Sequence, residues 1–155
     1  MIKIMFVCHG NICRSPMAEF MMKDLVEKNG VSDQFMISSS ATSKYEEGLR
    51  VHRGTRAILD RRGIYYGNKC STPLKKQDYE NYDYFIGMDE ENRSNMQRIL
   101  GGDPDGKISL LLDYTLNPRP VADPYWTGDF SATERDIEDG TKALFEFLSQ
   151  KKSIK

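Results

Sequence analysis

The sequence predicts an α/β fold of three layers, a four-stranded parallel sheet with helices on both faces. Strand-like apolar runs alternate with helix-like segments along the chain, the pattern of βα units. The first run, Ile2 to Val7, is apolar almost throughout, as in a parallel strand covered on both sides. No repeat, low-complexity tract or Pro- or Gly/Ser-rich linker divides the 155 residues, so residues 1–155 read as one domain. A domain of that length buries about 68–70% of the surface its unfolded chain exposes, enough for one core.

The elements follow in order. After the first strand comes a loop containing Gly10 and Asn11, then Ser15-Pro16 as a helix start, with Ser15 the expected cap. Ala18, Met21, Met22 and Leu25 give that helix an apolar stripe, and Asn29-Gly30 ends it. A second strand is expected over 35–40, running into a polar loop, and a helix over 54–62 closed by Gly63. Tyr84 to Met88 reads as the third strand, and Asp89 as the cap of a helix running to about Leu100. A cluster of Gly, Asp and Pro at 101–106 makes a turn before the fourth strand, Ile108 to Leu112. Three prolines and a glycine make 117–129 too broken for regular structure. The last helix is then expected from Ser131, with Ser131 and Glu134 matching a capping box and Ile137, Leu144, Phe145 and Leu148 facing the core.

Composition narrows the function. With 22 Lys+Arg against 23 Asp+Glu the formal charge is -1, so no field of the whole chain favours nucleic acid or an anionic membrane. The longest early apolar run, Ile4 to Cys8, is far short of the roughly 18–20 residues of a membrane span, and no signal-peptide pattern surrounds it. Three cysteines, an odd number, argue against a secreted disulfide framework and for a reducing, cytoplasmic setting. The double lysines at 75–76 and 151–152, with Lys155, read as solvated surface and a frayed tail.

In parallel α/β folds, ligands sit at the carboxyl ends of the strands. There the sequence reads Cys8-His9-Gly10-Asn11-Ile12-Cys13-Arg14-Ser15-Pro16, a strand end, a loop and a helix start. Backbone amides of residues 9–15 wound before a helix form a nest for an oxyanion, to which the helix adds unpaired donors and its dipole. Gly10 and Asn11 tolerate the left-handed conformations such winding needs. Arg14 offers a planar fork of donors for two oxygens of a tetrahedral anion. Cys8 stands at the loop entrance, where the field that binds phosphate also favours a thiolate; cysteines at helix N-termini reach pKa values of about 3.5–7.5. The competing reading, a buried inert Cys8 and a surface-paired Arg14, fits the residue types but not the loop around them.

A phosphate held above Cys8 can be attacked in line, and the leaving group then needs a proton. Asp123, in Asp123-Pro124-Tyr125-Trp126, places a carboxyl on a loop at the same end of the sheet. Asp-Pro is otherwise an ordinary turn sequence. Tyr125 and Trp126 offer flat faces for an aryl substrate. His9 and His52 read as solvated or packing histidines, and Cys70 belongs to no motif.

These segments, with Met17-Ala18-Glu19 behind the loop and Met88-Asp89 after the third strand, resemble the low-molecular-weight protein tyrosine phosphatases over nearly the whole chain. The resemblance implies a flavodoxin-like fold and a phosphocysteine intermediate, with no metal and no cofactor. It implies Cys8 as nucleophile, Arg14 as phosphate clamp, Asp123 as general acid and base, Asn11 as the residue pinning the loop and Ser15 as the hydroxyl steadying the thiolate. Tyr45 stands where the family has a rim aromatic, often Trp, and Tyr125 forms the opposite wall. Cys13 matches the family's second loop cysteine, which can form a protective disulfide with the nucleophile. At Asn68-Lys69-Cys70-Ser71 many members carry a His and an Arg, so here the support behind Ser15 departs from the family.

Three rivals remain. Phosphoarginine phosphatases on this scaffold usually have Thr where Ile12 stands and a less aromatic acid loop. Arsenate reductases need two further cysteines, and only Cys70 follows Arg14 outside the loop motif. A binding or redox-sensing module would need no Asp123. The expectation is a cytoplasmic enzyme acting on phosphotyrosine proteins, a monomer that self-associates at most weakly.

Overall fold

In the computed structural model, which describes residues 1–152, the sheet order is β2-β1-β3-β4 and every pairing is parallel. The strands are β1 (Ile2–Cys8), β2 (Phe35–Ala41), β3 (Tyr84–Gly87) and β4 (Ile108–Leu110). The helices are α1 (Arg14–Lys28), α2 (Arg53–Arg61), α3 (Glu90–Leu100), α4 (Pro124–Thr127) and α5 (Phe130–Lys152). β1 lies centrally, and its alternation serves two cores. Ile2, Ile4 and Phe6 pack with Met17, Met22, Ile137 and Leu144 under α1 and α5, whereas Met5 and Val7 pack with Tyr79, Met96 and Leu100 on the α3 face.

The chain goes from β1 to β2 on one side and then returns to β3 on the other. The carboxyl ends of β1 and β3 therefore flank a switch point, where the loops diverge and leave a crevice. Residues 8–15 and Asp89 lie at that crevice.

Several local expectations are corrected. α1 begins at Arg14, with Cys13 at the cap position and no side-chain cap, because the Ser15 hydroxyl is drawn inward to Cys8. α1 is buried from Arg14 to Met22, well beyond a stripe. The fourth strand stops at Leu110, and 111–114 turn into a 3-10 helix whose Asp113 accepts from the Leu110 amide. Within 117–129, residues Pro124–Thr127 form one helical turn, capped by Asp123 and ended by Gly128 at φ 69°. α5 starts one residue early and is capped by Asp129, which accepts from the amides of Ser131 and Ala132. Glu134 closes no capping box, since Arg61 and Arg62 of α2 and its C-terminal end each bond its carboxylate at 2.6 Å. α5 continues through Lys152, with the Lys151 ammonium over the Phe147 ring, so this pair is no frayed tail; Lys155 lies outside the described residues. Among the described residues, no helix is long and apolar enough to cross a membrane.

Gly140 lets α5 approach the 111–114 turn: a Cβ there would run into the Leu111 side chain, which is fully buried. Alanine favours a helix over glycine by about 1 kcal/mol, but overpacking costs about 1–3 kcal/mol. Gly140→Ala is therefore expected to lower the urea midpoint at unchanged m-value, by a net loss of up to about 2 kcal/mol.

Candidate active site

The loop between β1 and α1 is held with its carbonyls turned outward. Cys8 O accepts from Thr42 N, His9 O from Ser43 N, Ile12 O from His52 N, and Gly10 O from the Ser71 hydroxyl. Cys13 O takes the Thr55 hydroxyl at 3.0 Å. In a trans peptide the next residue's N–H points opposite to the carbonyl, so the amides of His9, Gly10, Asn11, Cys13 and Arg14 face the concave side. That concavity ends at the uncapped start of α1, whose dipole and free amides reinforce it for an anion.

Cys8 is 3% exposed, and its sulfur lies inside this ring. It accepts from Asn11 N at 3.3 Å and Ser15 N at 3.4 Å, and the Ser15 hydroxyl is 3.0 Å away. Asn11 carries the only positive φ outside glycine among the described residues, 56°. Its side chain accounts for that cost: Nδ2 donates to the Ser15 hydroxyl at 2.7 Å and to Ser39 at 2.9 Å, and Oδ1 accepts from Thr72 N at 3.1 Å. The Ser15 hydroxyl, which accepts from Asn11, can give its own proton to the sulfur, which would then have three donors, an arrangement suited to a thiolate.

Arg14 is buried, and its fork is fixed from behind. Nη1 donates to Asp89 Oδ2 at 2.8 Å and Val121 O at 3.2 Å, and Nη2 lies 3.4 Å from Asp123 Oδ2. Burial alone would lower the guanidinium, but the Cys8 sulfur and the Asp123 and Asp89 carboxylates outweigh it and hold Arg14 above its ordinary value. Asp89 serves twice, since Oδ1 also caps α3 through Asn92 N. Asp123 Oδ1 accepts from Tyr125 N, which aims the other oxygen at Arg14.

Cys13 stands at the cap position of α1. Burial, then the neighbouring Cys8 and Asp123, push its thiol up to about 12, so it stays protonated at neutral pH. Tyr45, Tyr125 and Trp126 are exposed, the latter two with ring centroids 4.9 Å apart. Tyr45 sits on the turn after β2, which is tied to the loop through Thr42 and Ser43. Next to it, Glu46 covers Gly10 closely enough that a Cβ on Gly10 would lie 3.1 Å from Oε2. His9 is exposed, 4.0 Å from Glu91. His52 caps α2 through Gly54 N and stacks on Phe130, a packing role. The Cys70 thiol donates to Asn68 O.

The structure thus joins Cys8, the 9–15 loop, Arg14 and Asp123 in one crevice. It adds residues whose part in the site the sequence does not announce. Ser39, Ser71 and Thr72 hold the loop, and Asp89, by its sequence context a helix cap, also holds Arg14. The signal that could find them is position, at or just after the ends of β2 and β3 for Ser39 and Asp89, and beside β2 for Ser71 and Thr72. Together they define a cysteine-centred concavity whose donors can take a tetrahedral oxyanion, with a carboxyl group beside it.

Comparison with known proteins agrees. The family model described as "Low molecular weight phosphotyrosine protein phosphatase" matches residues 3–154. A Bacillus subtilis (strain 168) relative, low molecular weight protein-tyrosine-phosphatase YfkJ, is 35% identical over 99% of this chain and 100% of its own length. The YfkJ crystal structure superposes with a TM-score of 0.94, covering 98% of this chain and 97% of that one at 36% identity. The SP-PTP structure from Streptococcus pyogenes, 41% identical, gives 0.84 over 97% and 93%. A third structure, DARP, a drosophila arginine phosphatase, gives 0.84 over 95% and 98% at 28% identity. The chain belongs to the low-molecular-weight phosphotyrosine protein phosphatase family, with its flavodoxin-like fold.

Asn11 offers a test that separates backbone from side chain. Asn11→Gly and Asn11→Ala both lose the bonds to Ser15, Ser39 and Thr72, and both are expected to lose turnover of an aryl phosphate. Only alanine also carries a strained left-handed backbone, so it should be less stable than the glycine variant by about 1 kcal/mol in urea unfolding.

Proposed function

We propose that this protein hydrolyses phosphotyrosine in proteins, and small aryl phosphates, through a cysteinyl-phosphate intermediate, acting in the cytoplasm. The observation that carries this reading is the Cys8 sulfur caged by three donors, within a ring of inward amides closed by Arg14. The loop amides and the Arg14 fork hold the three non-bridging oxygens, whose charge grows in the transition state. The Cys8 thiolate forms the S–P bond as the P–O bond to tyrosine breaks. Asp123 gives the departing oxygen its proton, then as carboxylate takes one from the water that cleaves the S–P bond and releases phosphate. In this reading Tyr45, on the turn after β2, and Tyr125, two residues after Asp123, offer exposed rings that can stack on the tyrosine ring of the substrate.

Cys13 takes a second part in this reading. When a peroxide has oxidised Cys8 to a sulfenic acid, the Cys13 thiol displaces water to form a disulfide, which thiols later reduce.

Phosphate release from matched phosphotyrosine and phosphoarginine peptides, with reductant and chelator present, tests the assignment. Phosphotyrosine turnover that falls by more than about a thousandfold in Cys8→Ser is the expected result. Preference for phosphoarginine would keep the chemistry and change the substrate, and no turnover of either would leave an anion-binding or redox-sensing module. Asp123→Ala is expected to lose about a hundredfold or more on phosphotyrosine and far less on a dinitrophenyl phosphate, whose leaving group needs no proton. Equal losses on both would remove Asp123 from its role.

A further inference from the structure

The chain leading into Asp123 alternates its attachments residue by residue. Val121 turns to the end of β3 and to the crevice: its amide donates to Met88 O at 2.9 Å, and its carbonyl accepts from Arg14 Nη1 at 3.2 Å. Ala122 turns the other way, to α5, and both of its polar groups are taken there. Its amide donates to Asp136 Oδ2 at 3.0 Å, and its carbonyl accepts from the Thr133 hydroxyl at 2.7 Å. Asp123 turns back to Arg14, with Oδ2 3.4 Å from Nη2, while its own carbonyl accepts from the amides of Trp126 and Thr127 as the α4 turn closes.

The Ala122 carbonyl and the Asp123 amide share one rigid peptide plane, so a bond to that oxygen fixes the direction in which the Asp123 side chain leaves the backbone. Thr133 is fully buried. Its hydroxyl also lies 3.5 Å from Asp129 O, and so stands between the residue just before Asp123 and the residue just after Gly128, at the two ends of the acid loop. With a single proton to give, it bonds the nearer oxygen, that of Ala122. Asp136 is itself anchored: Oδ1 accepts from Arg119 Nη2 at 2.8 Å, and Arg119 Nη1 donates to Asn117 O at 2.9 Å, which ties the start of the segment to the same face of α5. The Asp123 carboxyl has only the Tyr125 amide, which moves with the loop, and the Arg14 contact. Its place in the crevice therefore comes from the backbone beneath it, and α5 sets that backbone.

We infer that Thr133, together with Asp136, is a positioning residue for Asp123: the two side chains clamp the Ala122 peptide to α5 and so keep the carboxyl in reach of the leaving-group oxygen. The inference rests on the proposed mechanism, in which Asp123 protonates that oxygen. Proton transfer needs the heavy atoms within about 2.6–3.2 Å, so drift of this loop impairs the transfer while leaving phosphate binding, which belongs to the 9–15 amides and Arg14, in place.

The test compares full-length wild type, Thr133→Val, Thr133→Ser and Asp123→Ala on phenyl phosphate, whose leaving group needs a proton, and on a dinitrophenyl phosphate, whose leaving group does not. The quantity read is kcat/KM, which covers the steps through S–P bond formation. Valine keeps the branched shape of threonine and removes the donor. Thr133→Val is expected to lose about fivefold to twentyfold on phenyl phosphate and less than about twofold on the dinitrophenyl ester, with inhibition by inorganic phosphate unchanged. Thr133→Ser, which keeps the hydroxyl, should return the ratio of the two substrates to near its wild-type value. A variant that is merely less stable lowers both substrates by the same factor and leaves that ratio alone. An unchanged ratio in folded Thr133→Val overturns the proposal, and so does a shifted ratio that Thr133→Ser fails to restore. If Thr133→Val does not fold, Asp136→Ala is read by the same criteria, with Asp136→Asn, which keeps an acceptor for the Ala122 amide, as the restoring variant. A ratio that Asp123→Ala shifts and Thr133→Val does not counts against Thr133 alone. Wild type that turns over neither ester, or Asp123→Ala with the wild-type ratio, overturns the mechanism and this inference with it.

Discussion

The sulfur of Cys8 sits where the backbone of its own loop has nowhere else to send its amides. Five carbonyls of residues 8–13 are engaged outward, by Thr42, Ser43, Ser71, His52 and Thr55, and planarity then turns the following amides inward. Those partners come from the turn after β2, the segment after Cys70, and the start of α2. An anion site built in this way is set by the whole sheet end and does not depend on a flexible loop closing over its ligand. The largest burial in the fold, around Ile4, Phe6, Met17 and Met22, serves this end by fixing β1 against α1.

Arg14 shows how magnitudes decide between opposed effects. Burying a guanidinium is costly, and burial is indeed the largest influence on it, acting to lower it. Two carboxylates, a carbonyl and the sulfur outweigh that cost, so the charge persists in a nearly closed site. The arrangement also makes Asp89 and Asp123 unequal. Asp89 is used twice, by α3 and by Nη1, and is thereby immobilised; Asp123 is held by one amide on the short α4 turn and by a 3.4 Å contact. Asp123, the carboxylate with fewer ties, is the one to which the proposed mechanism assigns the proton transfer.

Most of the sheet and the entire reactive loop are legible in the sequence, because both depend on local signals. β1 is an apolar run that ends in a Gly- and Asn-containing loop, and Cys8 and Arg14 are residue types with few alternative uses in such a loop. What is not legible depends on partners distant in sequence. Ser15 has the side chain of a helix cap, but Asn11 and Cys8 compete for its hydroxyl and prevail. Ser131 and Glu134 satisfy a capping pattern, yet Arg61 and Arg62, more than seventy residues earlier, take the carboxylate. The helical turn at Pro124 is masked by the prolines around it, although Pro at a first helical position is favourable once Asp123 caps it. Lys69, in sequence only a departure from the family pattern, acquires a partner in Ser39 that no spacing could announce.

Two cysteines share this loop, and their sulfurs have different hydrogen-bond surroundings. Both lie near the α1 start and Arg14, so proximity to positive charge does not separate them. Donors do. The Cys8 sulfur receives two amides and a hydroxyl directed at it by Asn11, which replaces the solvation that burial removes. Cys13, at the cap position of α1, has burial without that replacement, and it feels the negative Cys8, Asp123 and Glu46 as well; its thiol is pushed up to about 12. A negative charge on Cys8 makes ionisation of Cys13 harder. Oxidation of Cys8 to an uncharged form would remove the second of the influences that raise Cys13. In the proposed redox cycle, that oxidation would itself ease ionisation of Cys13.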